Sequence, residues 1–174
     1  ENDFAKYFGT KNAVAVSSGT AALFLSLLAL GVKRDDEIIV PSHTAFPTIE
    51  AIFHTGAKPV FVDINEDSYT INPELIGDLI TDKTVGIIPV HIYGHPCDMD
   101  TIVKIANENK LFVLEDSCQA HGAEYNGKKV GSIGEAGCFS FYPSKNMTVG
   151  GDGGMIVTNN DDAARRLRML RNHG

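Results

Sequence analysis

The chain has 174 residues, of which 43% are hydrophobic and 21% are charged, and its formal net charge at pH 7 is -7. This composition is typical of a globular domain with one sizeable core, and it argues against disordered and repeat proteins. The acidic balance also argues against a nucleic-acid surface, because phosphate contacts need concentrated Lys and Arg.

Short β-rich runs alternate with helical patterns along almost the whole chain. The predicted strands are residues 13–16, 37–40, 59–63, 85–91, 111–115, 137–141 and 155–158. Amphipathic helical patterns lie between most of them, at residues 20–30, 47–54, 73–80 and 99–109. This alternation predicts an α/β fold, a three-layer αβα sandwich around a mostly parallel sheet of about seven strands. The last two strands are separated only by a glycine-rich loop, so we expect one strand to run antiparallel.

The absence of linkers and long apolar segments, and the few cysteines, predict the domain organisation and the compartment. No linker or low-complexity segment divides it, so residues 1–174 are predicted to be one domain. The longest apolar stretch, residues 21–32, is broken by Ser26 and is shorter than the ~20 residues that cross a bilayer, so no membrane segment is predicted. Three widely spaced cysteines favour a reduced, cytoplasmic protein. Because the chain starts at Glu1 and stops as a helix finishes, we expect a piece of a longer protein.

Polar residues follow nearly every predicted strand. Ligands of an open parallel sheet bind outside the carboxyl ends of its strands, so these positions predict a site at one edge. In chain order the residues are Ser17, Ser18, Gly19, Thr20, Ser42, His43, Thr44, Asp63, His91, Asp116, Gln119, Ser140 and Lys145.

The run VAVSSGTAAL predicts a strand, a small-residue turn and a helix. The free amides of Gly19 and Thr20 at the helix N-terminus would suit a phosphate, with the hydroxyl of Ser18 or Thr20 as a further donor. Ordinary helix capping by Ser or Thr explains the same residues equally well. Neither GxxxxGK[ST] nor GxGxxG occurs, so this is not a nucleotide-binding loop of those types.

Asp116 directly follows a predicted buried strand in LFVLEDSCQAHG, with Gln119 three residues on. A carboxylate in this position stays ionised if it meets a cation, either a metal or a protonated heterocycle. A magnesium site and a helix cap are the alternatives, and the absence of a P-loop disfavours magnesium. His43, His91, His95 and His121 are the histidines a metal could use, but only His91 and His95 are four residues apart and no metal site is predicted.

Lys145 ends the run GCFSFYPSK before a glycine-rich loop. Most such lysines are solvated. The neighbouring Phe139, Phe141 and Tyr142 instead predict a desolvated amine, which is a better nucleophile toward aldehydes.

The motifs taken together resemble a known family. The runs that carry the resemblance are VAVSSGTAAL, IIVPSHTAFPT, PVFVDI, PVHIYGHPCDMD, VLEDSCQAHGA, VGSIGEAGCFSFYPSKN, GDGGMIVTN and RMLRNHG. In order and spacing they resemble the fold-type I enzymes that use pyridoxal 5'-phosphate (PLP), and among them the DegT/DnrJ/EryC1/StrS family of sugar aminotransferases. The resemblance covers essentially the whole chain, which would be the large PLP-binding domain.

The resemblance implies a role for each candidate residue. Lys145 would form a Schiff base with the PLP aldehyde and shuttle a proton, and Asp116 would keep the pyridine nitrogen protonated. Gln119 would bond the ring hydroxyl. The phosphate would be held by Ser18, Gly19, Thr20 and Ser140. Ala45 occupies the place of the family's usual stacking aromatic, so His43, with Phe46 as the alternative, is assigned to stack on the ring.

The implied function is transfer of an amino group from glutamate or glutamine to a nucleotide-linked keto-sugar. The resemblance also implies a homodimer with the active site at the interface, and a smaller domain beyond Gly174. Alternatives are another PLP-dependent reaction, such as sugar dehydration or desulfuration, and a non-catalytic small-molecule-binding or regulatory domain. Relatives that dehydrate sugars carry histidine where this chain has Lys145, which favours amino transfer.

Overall fold

The computed structural model describes residues 1–173 and contains nine strands. In chain order they are β1 Asn12–Val16, β2 Glu37–Pro41, β3 Lys58–Val62, β4 Thr84–Ile87, β5 Phe112–Asp116, β6 Glu124–Tyr125, β7 Lys128–Lys129, β8 Ala136–Ser140 and β9 Gly154–Thr158. Seven of them form one sheet in the order β1-β9-β8-β5-β4-β2-β3, and β6 pairs with β7 in a separate hairpin.

The pairing within the large sheet is mostly parallel. Along the order β8-β5-β4-β2-β3, each strand is parallel to the next. Only β9 runs against both of its neighbours, β1 and β8. The predicted mixed sheet with one antiparallel strand is therefore confirmed.

Helices cover both faces of this sheet. They are α1 Asn2–Phe8, α2 Gly19–Ala29, α3 Phe46–Thr55, α4 Met99–Asn109 and α5 Asp161–Arg171. The side chains of Ser18, Asp98 and Asn160 cap α2, α4 and α5 by accepting a hydrogen bond from the amide three residues on. None of the helices described is long and apolar enough to span a membrane.

Successive residues of a strand enter opposite layers of the core. In β2, Ile38 and Val40 join the cluster beneath α2 and α3, whereas Ile39 joins the cluster beneath α4. In β5, Leu114 and Val113 divide in the same way. Because parallel strands are covered on both faces, they appear in the sequence as continuous apolar runs.

The structure corrects three features of the predicted pattern. The helix predicted over residues 73–80 is replaced by two 3-10 turns, Pro73–Leu75 and Gly77–Leu79. Glycine weakens helix propagation at its centre, and the buried Ile71 and Ile76 hold the segment to the core. The strand predicted over 85–91 stops at Ile87, since Pro89 has no amide to donate.

The third correction concerns elements that were not predicted. Helix α1 has seven residues and the strands of the hairpin of β6 and β7 have two each, so each gives only a short sequence signal. Gly174, the last residue of the RMLRNHG run, lies outside the described residues.

Candidate functional site

A cavity of about 430 Å³ lies at the carboxyl ends of the strands. It brings together most of the predicted site residues, although they are far apart in the sequence. Those that line it are Ser18, Gly19, Thr20, Asp116, Gln119, Ser140 and Lys145. Because they come from the ends of β1, β5 and β8 and from the start of α2, the topology of the sheet creates this cavity.

The N-terminus of α2 forms one wall. Ser18 Oγ accepts a 3.0 Å hydrogen bond from the Ala21 amide, so the predicted cap exists, and the hydroxyl proton stays available to a ligand. The amides of Gly19 and Thr20 have no preceding turn to bond, which leaves two donors and the positive end of the helix dipole at the cavity.

Close packing makes glycine necessary at position 19. A Cβ there would lie 2.6 Å from Ser140 Cβ and 3.0 Å from Cys118 Sγ. The backbone of α2 therefore approaches β8 closely, and the Ser140 hydroxyl stands beside the first amides of the helix. Together these groups form a compact cradle of hydrogen-bond donors.

Asp116 is buried on the adjacent wall, and both of its carboxylate oxygens accept hydrogen bonds. Oδ2 accepts from the Thr48 hydroxyl at 2.8 Å, and Oδ1 accepts from the Cys118 amide at 3.1 Å. Thr48 in turn lies 2.8 Å from the Thr44 hydroxyl. The carboxylate is thus fixed in orientation from α3 and from its own turn, as a group that meets a cation requires.

Gln119 lies beside Asp116 and is held by a loop. Its Oε1 accepts a 3.0 Å hydrogen bond from the backbone amide of Tyr93. The Gln119 side chain therefore lines the cavity with its carboxamide oxygen already hydrogen-bonded.

Lys145 is half-buried at the cavity wall, and its backbone amide closes a turn on the Tyr142 carbonyl at 2.8 Å. The predicted aromatic surroundings are only partly present. Phe139 and Phe141 pack into the cluster with α1, and Tyr142 is exposed. Since neighbouring residues of a strand face opposite sides of the sheet, the two phenylalanines lie on the side opposite Ser140.

His121 and Cys118 lie close to this site. Burial lowers the pKa of His121, and the positive charge of Lys145 lowers it further. Burial raises the pKa of the Cys118 thiol, and the nearby Asp116 carboxylate acts in the same direction. Both groups are therefore uncharged at neutral pH.

Of the residues assigned to hold the cofactor, His43 is the one that the structure does not bring into this lining. Ser17, Ser42, Asp63 and His91, which also follow predicted strands, lie outside the lining as well. Its Nε2 lies 3.0 Å from the Tyr93 hydroxyl, and its ring is 6.3 Å from the Tyr69 ring. Thr44, Ala45 and Pro47 line the cavity at this point instead. A stacking role for His43 stays a prediction.

His91 and Glu115 form a fully buried pair behind the site. His91 Nε2 is 3.0 Å from Glu115 Oε2. The carboxylate also accepts backbone hydrogen bonds from Gly131, Ile133 and Gly134. Within residues 1–173, no three His, Cys, Asp or Glu side chains converge as a metal site.

Sequence reasoning missed several residues at the site. Thr48 lies on the buried face of α3, and a threonine among Ile49, Ala51 and Ile52 was the available signal for a buried hydrogen bond. Cys118 and Asp152 also line the cavity. The sequence offered no signal for Asp152, because it lies in a glycine-rich loop whose path it does not specify.

Comparison with known proteins adds a family match. The model of the DegT/DnrJ/EryC1/StrS aminotransferase family matches residues 1–174. A similar curated protein is the UDP-N-acetyl-3-dehydro-alpha-D-glucosamine 3-aminotransferase of Acidithiobacillus ferrooxidans, with 48% identity over 100% of this chain and 47% of its own length.

Two solved structures show the same architecture. DesV of Streptomyces venezuelae, in complex with a ketimine intermediate, superposes with a TM-score of 0.97 at 48% identity, covering 100% of this chain and 47% of DesV. NtdA of Bacillus subtilis, with bound cofactor PMP, has a TM-score of 0.90 at 38% identity, covering 97% of this chain and 39% of NtdA. The chain spans about half the length of the curated relatives it matches.

Proposed function

The chain belongs to the DegT/DnrJ/EryC1/StrS aminotransferase family, and we propose that it is the PLP-binding part of an enzyme that aminates nucleotide-linked keto-sugars. The amino donor would be glutamate or glutamine. The observation that carries this proposal is the single cavity shared by Lys145, Asp116 and the donor cradle of α2. The curated relative from Acidithiobacillus ferrooxidans, whose name is that of a UDP-sugar aminotransferase, supports the substrate class.

The residues present fit PLP. A phosphate is a dianion that binds well at free helix amides, such as those of Gly19 and Thr20. Because residue 19 is glycine, no Cβ fills the space between α2 and Ser140. The Ser18 and Ser140 hydroxyls each keep a proton to donate. At the other end of the cavity, Asp116 supplies the acceptor that a protonated pyridine nitrogen needs.

When bound, PLP supplies an electron sink that stabilises negative charge on the carbon beside the transferred nitrogen. Lys145 would hold the cofactor through its aldehyde carbon. As a free amine, Lys145 Nζ would carry a proton between the substrate carbon and the cofactor. Asp116 would keep the positive charge at the far end of the ring, which requires the orientation that Thr48 gives it.

The proposal extends to the compartment and the assembly of the whole protein. We place it in the cytoplasm as a homodimer with the active site at the interface, and the large domain of this chain would be completed by a smaller domain. The cavity is open on one side, and Tyr142, which lines it, is 54% exposed. Such apolar exposure at a cavity mouth is consistent with a further protein surface covering it.

The full-length protein provides the test. Purified with PLP, it should show visible cofactor absorbance, and glutamate or glutamine together with a nucleotide-linked keto-sugar should yield an amino sugar. Lys145→Ala should abolish both the covalent attachment and turnover. Production of a deoxy sugar without nitrogen would favour dehydration instead, and failure to bind PLP would overturn the proposal in favour of a binding domain.

A further inference from the structure

We propose that the backbone amide of Tyr93 is a positioning group that turns the Gln119 carboxamide so that only its NH₂ group is offered to the cavity. The inference rests on the proposed function, because PLP is the ligand that Gln119 would meet. The contact is a 3.0 Å hydrogen bond from the main chain of the loop after β4 to a side chain of the turn after β5.

Donor and acceptor rules fix the orientation of the carboxamide. A backbone N–H can only donate, so the Gln119 atom that faces it must be the oxygen. In the flipped orientation an N–H would face an NH₂ group, and two donors would meet without an acceptor. No protein acceptor within residues 1–173 engages the NH₂ group, which is left for a ligand.

The Tyr93 amide is held in place by unusual backbone geometry. Tyr93 has φ 55° and Gly94 has φ 84°, so two successive residues lie in the left-handed region. Tyrosine rarely adopts this conformation, and it persists only where the surroundings enforce it. A Cβ on Gly94 would lie 3.3 Å from the Gln119 carbonyl oxygen, which shows how closely this turn packs against its partner.

Main-chain bonds tie the same loop to Asp116. The His91 amide donates to the Asp116 carbonyl at 3.0 Å, and the Asp116 amide donates to the Pro89 carbonyl at 2.9 Å. The turn that carries Tyr93 is therefore in register with the end of β5, where Asp116 lies. Any shift of the loop would move Gln119 and Asp116 together.

Side chains anchor the loop on both sides of Tyr93. His91 is bonded through Nε2 to the buried Glu115, and its Nδ1 accepts a 3.1 Å hydrogen bond from the Cys97 amide. The Tyr93 hydroxyl meets His43 Nε2 at 3.0 Å. The buried pair of His91 and Glu115 takes no part in the proposed chemistry. Its role is instead to hold this loop in place.

The consequence is that Gln119 can meet the cofactor ring oxygen only as a donor. An N–H donor is most favourable when that oxygen bears its full negative charge, which is after the bound cofactor loses its proton. The visible absorbance of the bound cofactor changes when it loses this proton. Loss of the Gln119 donor should therefore raise the pH at the midpoint of that change. A purely structural role for Gln119 would not move it.

The test uses the full-length, PLP-loaded protein and four forms of it. They are the wild type, Gln119→Leu, a form in which residue 93 is the α-hydroxy analogue of tyrosine, and the combination of the two. The analogue replaces the N–H by an ester oxygen and keeps the side chain. The readout is the pH midpoint of the absorbance change, with circular dichroism as the check on folding.

Gln119→Leu should raise the midpoint by about one pH unit, the shift expected for one lost charge-assisted hydrogen bond. The ester alone should raise it by a smaller amount, and it should add nothing in the Gln119→Leu background, since the coupling runs through that side chain. Equal ester effects in both backgrounds, or no ester effect in either, would overturn the inference while leaving PLP binding intact. Absence of PLP absorbance in the wild type would instead remove the proposed function on which the inference rests.

Discussion

The Thr48 hydroxyl donates a 2.8 Å hydrogen bond to Oδ2 of Asp116, joining the first turns of α3 to the end of β5. Thr48 has a single hydroxyl proton, so the 2.8 Å contact with Thr44 must be donated by Thr44. Two hydroxyls in series therefore point at the carboxylate. Helix α3, which offers the site no charged group, therefore fixes the orientation of Asp116 together with the Cys118 amide.

Thr48→Val should test this relationship, because valine has nearly the same shape and no hydroxyl. We expect the free energy of unfolding to fall by about 1–3 kcal/mol, since a buried oxygen of Asp116 loses its donor. PLP should also bind more weakly. Thr48→Ser keeps the hydroxyl and should retain the affinity measured by cofactor fluorescence. Equal affinity in the Val and Ser variants would count against the relationship.

Gly19→Ala should disturb the cradle. The added Cβ would lie 2.6 Å from Ser140 Cβ, so α2 and β8 must separate. We expect a loss of about 1–3 kcal/mol in the free energy of unfolding, as for other overpacked sites, together with weaker phosphate binding.

Gly77→Ala is the matched control for this substitution. Position 77 has no atom within 4 Å of the added Cβ, so the same chemical change should leave urea denaturation and PLP titration nearly unaltered. Similar losses in both variants would show that the effect belongs to glycine in general and not to the cradle.

Glu115→Gln should destabilise the protein strongly. Its carboxylate accepts from the amides of Gly131, Ile133 and Gly134 and contacts His91, and an NH₂ group at either oxygen position would face a donor. We expect a loss of about 3 kcal/mol or more.

Hydrogen exchange locates this effect in the structure. The amides of Gly131, Ile133 and Gly134 should exchange faster in Glu115→Gln than in the wild type. Glu124→Gln, which alters an exposed carboxylate paired with Lys129, should change the stability by no more than about 0.5 kcal/mol. Unchanged protection at the three amides would contradict the role of Glu115.

Alkaline pH should destabilise the fold through Cys138. Burial raises the pKa of this thiol above its ordinary value of 9.0, and the Asp116 carboxylate acts in the same direction. Above pH 9 the unfolded chain loses the thiol proton while the folded chain keeps it, so the folded state binds more protons and its stability falls as pH rises.

The Cys138→Ala variant isolates this contribution. The wild-type free energy of unfolding, relative to the variant, should fall by about 1.4 kcal/mol per pH unit above pH 9. The constant cost of losing the thiol and its 3.4 Å contact with Ser26 cancels in that slope. Urea denaturation at several pH values provides the measurement, and parallel curves for the two proteins would refute the assignment.

The sheet could be predicted because its signal is local. Runs such as residues 38–41 are apolar at successive positions, as strands buried on both faces require. The polar residues after such runs gather at one edge by topology alone. Much of the cavity lining could be predicted for the same reason, although Thr48, Cys118 and Asp152 were missed. The strand order β1-β9-β8-β5-β4-β2-β3 could not be, because it depends on contacts between distant segments.

What the sequence could not specify was hydrogen bonding across the fold. Thr48 meets Asp116 over 68 positions of sequence, and Tyr93 meets Gln119 over 26. Such pairs leave no periodic signature, and a left-handed tyrosine has no composition signal at all. His43 was predicted to line the cavity because it follows β2, but Thr44 and Ala45 line it at this point instead.

We propose that the amine of Lys145 holds PLP covalently in the cavity it shares with Asp116. The most direct test is borohydride reduction of the full-length, PLP-loaded protein, followed by peptide mass spectrometry. We predict a single phosphopyridoxyl label on Lys145, and none at that position in Lys145→Ala. A label on another lysine, or no label on a protein that retains PLP, would contradict the assignment of Lys145.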